Sequence, residues 1–189
     1  MALFDSLRKF SKNGQSLMDK LEEFYKDNRS IVYLYFYNLI GSPEESEELT
    51  QETFYQAVKS IHRFKGQSTL KTWLMQIARN TYRNKIRALA KRKYVETTEK
   101  IELQGDETFN PQKILSERQV TCDIQRIFKQ MPPDYRDVLI FKEVHGFSHA
   151  EIAQILEKTP QTTKVLLYRA KKKFKALYEK EVVYREETL

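Results

Sequence analysis

Few residues in this sequence could perform acid–base, nucleophilic or metal chemistry. The histidines are His62, His145 and His149, and Cys122 is the single cysteine. None of them stands in a zinc-protease motif, a phosphate-binding loop or a nucleophile elbow, the arrangements that such chemistry would need. We therefore expect neither an enzyme nor a site for a metal, a cofactor or a small-molecule substrate. A single cysteine also excludes an internal disulfide, which favours a cytoplasmic protein.

Binding a polyanion is the chemistry for which the sequence is best supplied. Lysine and arginine total 33 against 26 acidic residues, and residues 53–95 and 158–178 contain no acidic residue. Positive charge concentrated in this way produces an electrostatic field of fixed direction. On a surface whose charges serve only solubility, positive and negative residues are mixed. The pattern predicts a nucleic-acid partner. The alternatives are solvated helix faces without a partner and attraction to an anionic membrane surface.

One group of polar residues is suited to bind a cationic protein surface. Glu48, Gln51 and Glu52 are three and four positions apart, so a helix would bring them onto one face. Carboxylates and an amide there can form charge-assisted hydrogen bonds with arginines of a partner helix. The alternative is that these acidic residues only complement the dipole at the start of the helix. That explanation accounts for Glu44 and Glu45 in the first turn, but Glu52 is too far along the helix for it to apply well.

A short polar loop, residues 64–69, precedes the most basic predicted helix of the first half. Gly66 would let the backbone approach a base closely, and Gln67, Ser68 and Asn80 could bond to base edges. Thr69, like Ser68, could also cap the helix that follows. The cations placed to meet phosphates are Lys65, Lys71, Arg79 and Arg83.

Helices must position these groups, because 40% of the residues are hydrophobic and only 5 are glycine and 5 proline. The fold class is therefore all-α. Two amphipathic helices are expected between Leu17 and Gly41. A third helix is expected to start next, with Ser42 as its N-cap, Pro43 at its first position and Glu45 completing a capping box with Ser42. The fourth predicted helix carries an apolar stripe that includes Trp73. We interpret Trp73 as a core residue rather than as a surface on which a DNA base stacks. That stripe is Leu70, Trp73, Leu74, Ile77, Ala78, Tyr82 and Ile86.

The second half of the chain predicts a helix-turn-helix. Ser148 and Glu151 form a capping box for a short helix, and Thr159 and Pro160 begin a long basic one. Such a pair places its second helix in a major groove. The residues expected to face base edges are Gln161, Thr162, Lys164, Val165 and Tyr168. The residues expected to follow the phosphates are Arg169, Lys171 and Lys172.

Composition divides the chain into two small helical domains, residues 17–93 and 111–180. Residues 94–110 lose apolar periodicity and are rich in Glu, Thr, Gln, Gly and Asp, which predicts a flexible linker. Residues 181–189 form a tail. Residues 1–16 form an extension, whose apolar spacing also allows a membrane-surface or partner-binding helix.

Three segments, in order, resemble the extracytoplasmic-function (ECF) group of bacterial sigma factors. ELTQETF, beginning at Glu48, is similar to the segment that docks on the largest polymerase subunit. FKGQSTLKTWLMQIARNTYRNKIR, beginning at Phe64, is similar to the promoter-melting segment. MPPDYRDVLIFKEVHGFSHAEIAQILEKTPQTTKVLLYRAKKKF, beginning at Met131, resembles the domain that binds −35 DNA. The resemblance spans about residues 17–178.

The resemblance implies a transcription initiation factor with core RNA polymerase and promoter DNA as partners. Glu48, Gln51 and Glu52 would hold polymerase, and residues 64–83 would melt the −10 element and capture its strand. Residues 160–172 would hold the −35 duplex. The sequence departs from the family at Glu157, where a turn glycine is usual, and at Gln161, Val165 and Leu166. Contact of Val165 and Leu166 with thymine methyl groups is one possible consequence.

Two further function classes fit part of the pattern. A helix-turn-helix repressor or activator would use the second domain equally well, but would need a ligand or dimerisation module as its first. A protein-interaction adaptor would leave both acid-free segments without a purpose. The resemblance also implies control by an anti-sigma protein, commonly membrane-anchored, which would hold the cytoplasmic chain at the membrane's inner face.

Overall fold

The computed structural model describes the backbone of residues 17–96 and 123–187, and the side chains of residues 22–91 and 123–180. Throughout this part of the chain the regular structure is helical, which confirms the all-α class. The described residues leave out the predicted extension at residues 1–16, residues 97–110 of the predicted linker and residues 111–122, which include Cys122.

The first helical unit consists of three long helices and one short turn. These are α1, Leu17–Ile40; α2, Pro43–Ser60; a 3₁₀ turn, Ile61–Arg63; and α3, Leu70–Glu96. The expectation of two helices before Gly41 is wrong, because α1 is continuous. Its polar middle contains no glycine or proline to break it, and the Asn28 side chain donates to the carbonyl of Phe24 within the helix at 2.9 Å.

The apolar faces of α2 and α3 pack inward, and one apolar residue at the margin of each is exposed. Leu49, Thr53 and Ala57 of α2 are buried. Val58 and Ile86 lie at the margins of their stripes and are 43% and 45% exposed. Trp73 is half-buried, with its ring centroid 5.3 Å from that of Phe64, in agreement with its interpretation as a packing residue.

The described part of the second helical unit starts with α4, which includes residues 123–129. It continues with α5, Pro133–Leu139; α6, His149–Leu156; and α7, Pro160–Glu187. A wider π-helical turn, Ile140–Val144, follows α5, and the N–H of His145 donates to the carbonyl of Ile140 at 3.1 Å. Gly146 then reverses the chain with φ of +69°, a conformation that favours glycine.

Both units contribute to one continuous hydrophobic core. Tyr35 of α1 and Phe141 of the π turn are fully buried, and their rings stack with centroids 5.1 Å apart. The fully buried aliphatic side chains around them come from both halves of the chain: Val32, Leu74, Ile127, Val138, Ile140, Ile152 and Ile155. The described parts of the two units are therefore packed against each other.

Candidate nucleic-acid and protein interfaces

The outward face of α2 carries the three residues predicted to dock on polymerase. Leu49 and Thr53 face the core, which turns Glu48, Gln51 and Glu52 to solvent together. The Glu48 carboxylate lies 3.4 Å from the Lys85 ammonium, and its side chain remains 74% exposed. This face presents two carboxylates and an amide that a cationic surface can reach.

Capping at the start of α2 differs from the predicted box in one respect. The hydroxyl of Ser42 accepts from the N–H of Glu45 at 3.2 Å, as expected. The Glu45 carboxylate does not return to the Ser42 backbone and instead pairs with Lys85 at 2.9 Å. Lys85 thus joins α3 to the acidic end of α2, a contact that the sequence patterns did not reveal.

The loop between the 3₁₀ turn and α3 is exposed at its tip. Lys65, Gly66 and Gln67 face solvent, and Gly66 has φ of +69° with open space where a Cβ would lie. Thr69 is the residue that caps α3, because its hydroxyl accepts from the N–H of Thr72 at 3.1 Å. The loop is short, fixed at its helical end and open at its tip.

The basic residues of α3 divide into exposed and buried members. Lys71 and Asn80 are exposed, and Arg83 is half-buried. Arg79, by contrast, is only 3% exposed. The Lys71 ammonium lies 5.0 Å from the centre of the Phe147 ring in the second unit.

Arg79 lies in a buried ionic network that joins the two units. Its Nε donates to Asp137 at 2.7 Å, and its Nη2 donates to Asp134 at 2.7 Å. The hydroxyl of Tyr35 donates to the other oxygen of Asp137 at 2.9 Å. Asp134 also lies 3.2 Å from Lys158 and 3.8 Å from Arg83. Sequence patterns identified the arginines but gave no signal for the acidic partners.

The pKa values of the two carboxyls of this network are shifted in opposite directions. Asp137 is almost completely enclosed, and burial raises its pKa above the ordinary value even though Arg79 opposes the change. Burial also raises the pKa of the more accessible Asp134, but the hydrogen bond from Lys158 and the charge of Arg79 outweigh it and bring that pKa below its usual range. Asp137 therefore bears the larger desolvation cost as a carboxylate.

The helix-turn-helix presents all of its predicted contact residues to solvent. Ser148 and Glu151 form the expected capping box, and the Thr159 hydroxyl accepts from the N–H of Thr162 at 3.2 Å. Thr163 is buried and donates to the carbonyl of Pro160 at 2.8 Å, which anchors the first turn of α7. The exposed residues along α7 are Gln161, Thr162, Lys164, Val165, Tyr168, Arg169, Lys171 and Lys172.

The turn between α6 and α7 contains a strained residue. Glu157 adopts φ of +56° and ψ of +46°, and it is the one non-glycine residue with positive φ in the described part of the chain. Its carboxylate accepts a hydrogen bond from Gln76 of α3 at 2.9 Å.

Neither a metal-binding cluster nor a membrane span is evident in the described residues. The described ranges contain no group of three or more His, Cys, Asp or Glu side chains that could hold a metal ion. No helix within the same ranges has the length and apolar character to cross a bilayer.

Family models match both helical units. The model for Sigma-70 region 2 matches residues 24–92, and the model for Sigma-70, region 4 matches residues 123–174. The first match covers α2, the loop and most of α3, and the second covers the helix-turn-helix.

Individual relatives match most of the chain at low identity. The ECF RNA polymerase sigma factor SigE of Mycolicibacterium smegmatis is 24% identical over 174 residues, which are 92% of this chain and 65% of that protein. The RNA polymerase sigma factor YlaC of Bacillus subtilis is 26% identical over 157 residues, 83% of this chain and 91% of that protein.

A solved structure has a similar fold. The sigma factor RpoE from Bartonella quintana, in complex with the anti-sigma factor NepR, aligns with a TM-score of 0.66 and 20% identity. The alignment covers 85% of this chain and 97% of that one.

Proposed function

The chain belongs to the sigma-70 family as an ECF sigma factor, and on that premise we propose how its surfaces bring core RNA polymerase to promoter DNA. The observation that carries the proposal is the order of the parts. An exposed acidic helix face, a short loop with a basic helix, and a helix-turn-helix follow one another within the two matched regions.

The first step is docking on polymerase through Glu48, Gln51 and Glu52. Their common exposed face on α2 supports this role, as does the charge they offer to a cationic helix. A helix-turn-helix repressor would have a ligand-binding or dimerisation module here, and the region 2 match over residues 24–92 argues against one.

The second step is capture of the −10 strand by the loop and α3. The open tip at Gly66 suits close approach of a base, and the exposed Asn80 lies on the helix that follows. The residues proposed to contact the strand are Lys65, Gly66, Gln67, Ser68, Thr69, Lys71, Arg79, Asn80 and Arg83.

The third step is binding of the −35 duplex by the start of α7. Gln161, Thr162, Lys164, Val165 and Tyr168 would face base edges, since the N-terminal residues of a recognition helix enter the groove. Arg169, Lys171 and Lys172 would follow the phosphates. Val165 is 49% and Tyr168 is 70% exposed, so apolar contact with thymine methyl groups is available to both.

Regulation by an anti-sigma protein completes the proposal. The similar RpoE was solved in complex with such a protein, which supports a partner of this class for the present chain. The chain would act in the cytoplasm, where it meets polymerase, and a membrane-anchored anti-sigma protein would hold it at the inner face of the membrane. As a member of a DNA-binding initiation family it would act without catalysis of its own.

Substitution of the docking face tests the first step. The triple variant Glu48→Ala, Gln51→Ala, Glu52→Ala should bind core polymerase at least about tenfold more weakly in a titration followed by fluorescence anisotropy, because it removes the charge-assisted bonds. Circular dichroism should remain unchanged, since all three side chains are exposed.

A double variant provides the control for lost charge. Glu23→Ala with Asp27→Ala also removes two exposed carboxylates, from α1, and should bind as the unmodified chain does. Equal binding by the triple variant and the unmodified chain would refute the docking assignment.

A further inference from the structure

We propose that this chain selects a −35 element containing a run of A·T base pairs, in which Val165 and Tyr168 contact thymine methyl groups and Gln161 reads an adenine. The inference rests on the proposed function, because it concerns the −35 surface of α7. It goes further by stating which base pairs that surface selects and through which atoms.

The buried side of α7 determines which of its side chains point furthest outward. Thr163, Leu167 and Ala170 are buried and form one stripe along the helix. Successive residues of a helix are about 100° apart, which fixes the opposite side. The exposed side chains opposite the stripe are Gln161, Val165, Tyr168 and Lys172. We call the first three the outer ridge, because the first turns of a recognition helix carry its base-reading residues.

Cationic side chains flank the outer ridge on both sides. Lys164 and Lys171 lie along one side of it, and Arg169 and Lys173 lie along the other. A helix in the major groove lies between the two phosphate backbones. The flanking cations can therefore reach phosphates while the uncharged ridge faces the base edges.

The outer ridge has no partner within the described part of the chain. Val165 is 49% and Tyr168 is 70% exposed. Among the described residues, the side chains of Gln161 and Tyr168 make neither a hydrogen bond nor a ring contact. Large apolar side chains exposed together indicate a surface that a partner covers. Contact with thymine methyl groups would remove apolar area of both partners from water.

The ridge side chains favour adenine and thymine by different means. Thymine alone among the DNA bases presents a methyl group in the major groove, which suits Val165 and Tyr168. The Gln161 amide can donate to N7 of adenine and accept from its amino group at the same time. The ridge lacks the arginine or lysine that reads guanine. From Gln161 to Tyr168 it runs about 10 Å along the helix axis, which matches about three base pairs.

Leu166 does not share this contact, although a thymine contact was also predicted for it. It is half-buried and packs against the hydrophobic core, because it lies nearer than Val165 to the buried stripe of α7. Of these two departures from the family pattern, Val165 is therefore the one that changes the surface offered to DNA.

Replacement of thymine by uracil tests the methyl contacts, because uracil differs only in lacking that group. Holoenzyme reconstituted from the full chain and core polymerase would first select duplexes from a library randomised at the −35 and −10 elements. We expect about three consecutive A·T pairs in every selected −35 element. A selected duplex remade with uracil at its −35 thymines should bind about fourfold more weakly for each contacted methyl group, measured by fluorescence anisotropy.

A matched duplex and matched variants assign this effect to the ridge. Uracil placed only upstream of the −35 element should leave binding unchanged. Val165→Ser with Tyr168→Ala should bind the thymine and uracil duplexes equally, because no large apolar side chain remains on the ridge. Val144→Ser removes a similarly exposed valine from the π turn and should keep the full difference. Gln161→Ala should weaken selection at one adenine about tenfold.

Three results would overturn the inference. Selected −35 elements without the A·T run would show that other base pairs are read, for example a guanine by the flanking Lys164. Equal binding of the thymine and uracil duplexes by unmodified holoenzyme would show that A·T pairs are read through groove shape. A uracil effect that persists in the double variant would assign the methyl contacts to other side chains.

The selection step separates these failures from failure of the proposed function. If holoenzyme selects common −35 and −10 sequences and one of the three results is obtained, only the reading of A·T pairs by the ridge is refuted. If the chain adds no selected sequence beyond those of polymerase alone, the proposed function itself fails, and the inference falls with it.

Discussion

Among the residues predicted to contact DNA, Arg79 is the one that the structure buries. It projects from the helix proposed to hold the −10 strand, yet it is 3% exposed and bonded to two carboxylates of the other unit. A guanidinium carries its charge at every accessible pH, so its availability depends on geometry rather than on titration. In the structure its guanidinium is paired with Asp134 and Asp137 instead of facing solvent.

His145 provides a prediction at the residue scale. Burial, with a contribution from the charge of Lys71, lowers the pKa of His145 from 6.5 to about 4, and its Nε2 has no hydrogen-bond partner among the described residues. The folded state thus holds the ring neutral, while the unfolded chain protonates it near pH 6.5. The free energy of unfolding should therefore fall by on the order of 2 kcal/mol through this group as the pH drops from 7 to about 4.5.

Replacement by a ring that does not titrate isolates this contribution. His145→Phe keeps an aromatic side chain beside Phe141 and Phe147. In urea denaturation at both pH values, the variant should lose less stability than the unmodified chain on acidification. The same loss in both proteins would show that His145 is not held neutral.

At the scale of elements, the helix ends differ in how completely they are capped. Ser148 at the start of α6 has both halves of its capping box, with the Glu151 carboxylate returning to the Ser148 N–H at 2.8 Å. Ser42 at the start of α2 has only the hydroxyl half, because Glu45 is engaged by Lys85. The better-capped helix is the first member of the helix-turn-helix.

Loss of the α6 cap should destabilise the chain measurably. Ser148→Ala should lower the free energy of unfolding by about 1 kcal/mol, since it leaves an N-terminal N–H without its acceptor. Ser148 is exposed, so no cavity contributes to the change. Ser148→Thr retains the hydroxyl and should fall within about 0.5 kcal/mol of the unmodified chain in the same urea titration. Equal stability of the alanine and threonine variants would exclude the cap as a contributor.

Local patterns predicted those parts of the structure that depend on nearby residues. The caps at Ser148 and Thr159 were predicted because each involves residues within one turn of the helix start. The sequence patterns did not predict a continuous α1, because the polar residues in its middle interrupt the helical spacing of apolar residues. The acidic network at Asp137 could not be anticipated, since its partners Arg79 and Tyr35 are 58 and 102 positions away.

At the scale of the whole molecule, the described units share a core while their proposed contact faces point to different partners. The docking face of α2 and the basic start of α7 are exposed, whereas Arg79 is covered. Net charge of +7 favours encounter with DNA over the whole surface. These exposed faces are the ones proposed to bind polymerase and the −35 duplex.

Reconstituted transcription tests the central claim most directly. The purified chain would be added to core RNA polymerase with a library of randomised promoter DNA, and the 5′ ends of the transcripts would be mapped. We predict discrete start sites that share one upstream −35 and −10 sequence pair and that are absent with polymerase alone. Failure of the chain to join the polymerase, or start sites identical with and without it, would contradict the assignment as a sigma factor.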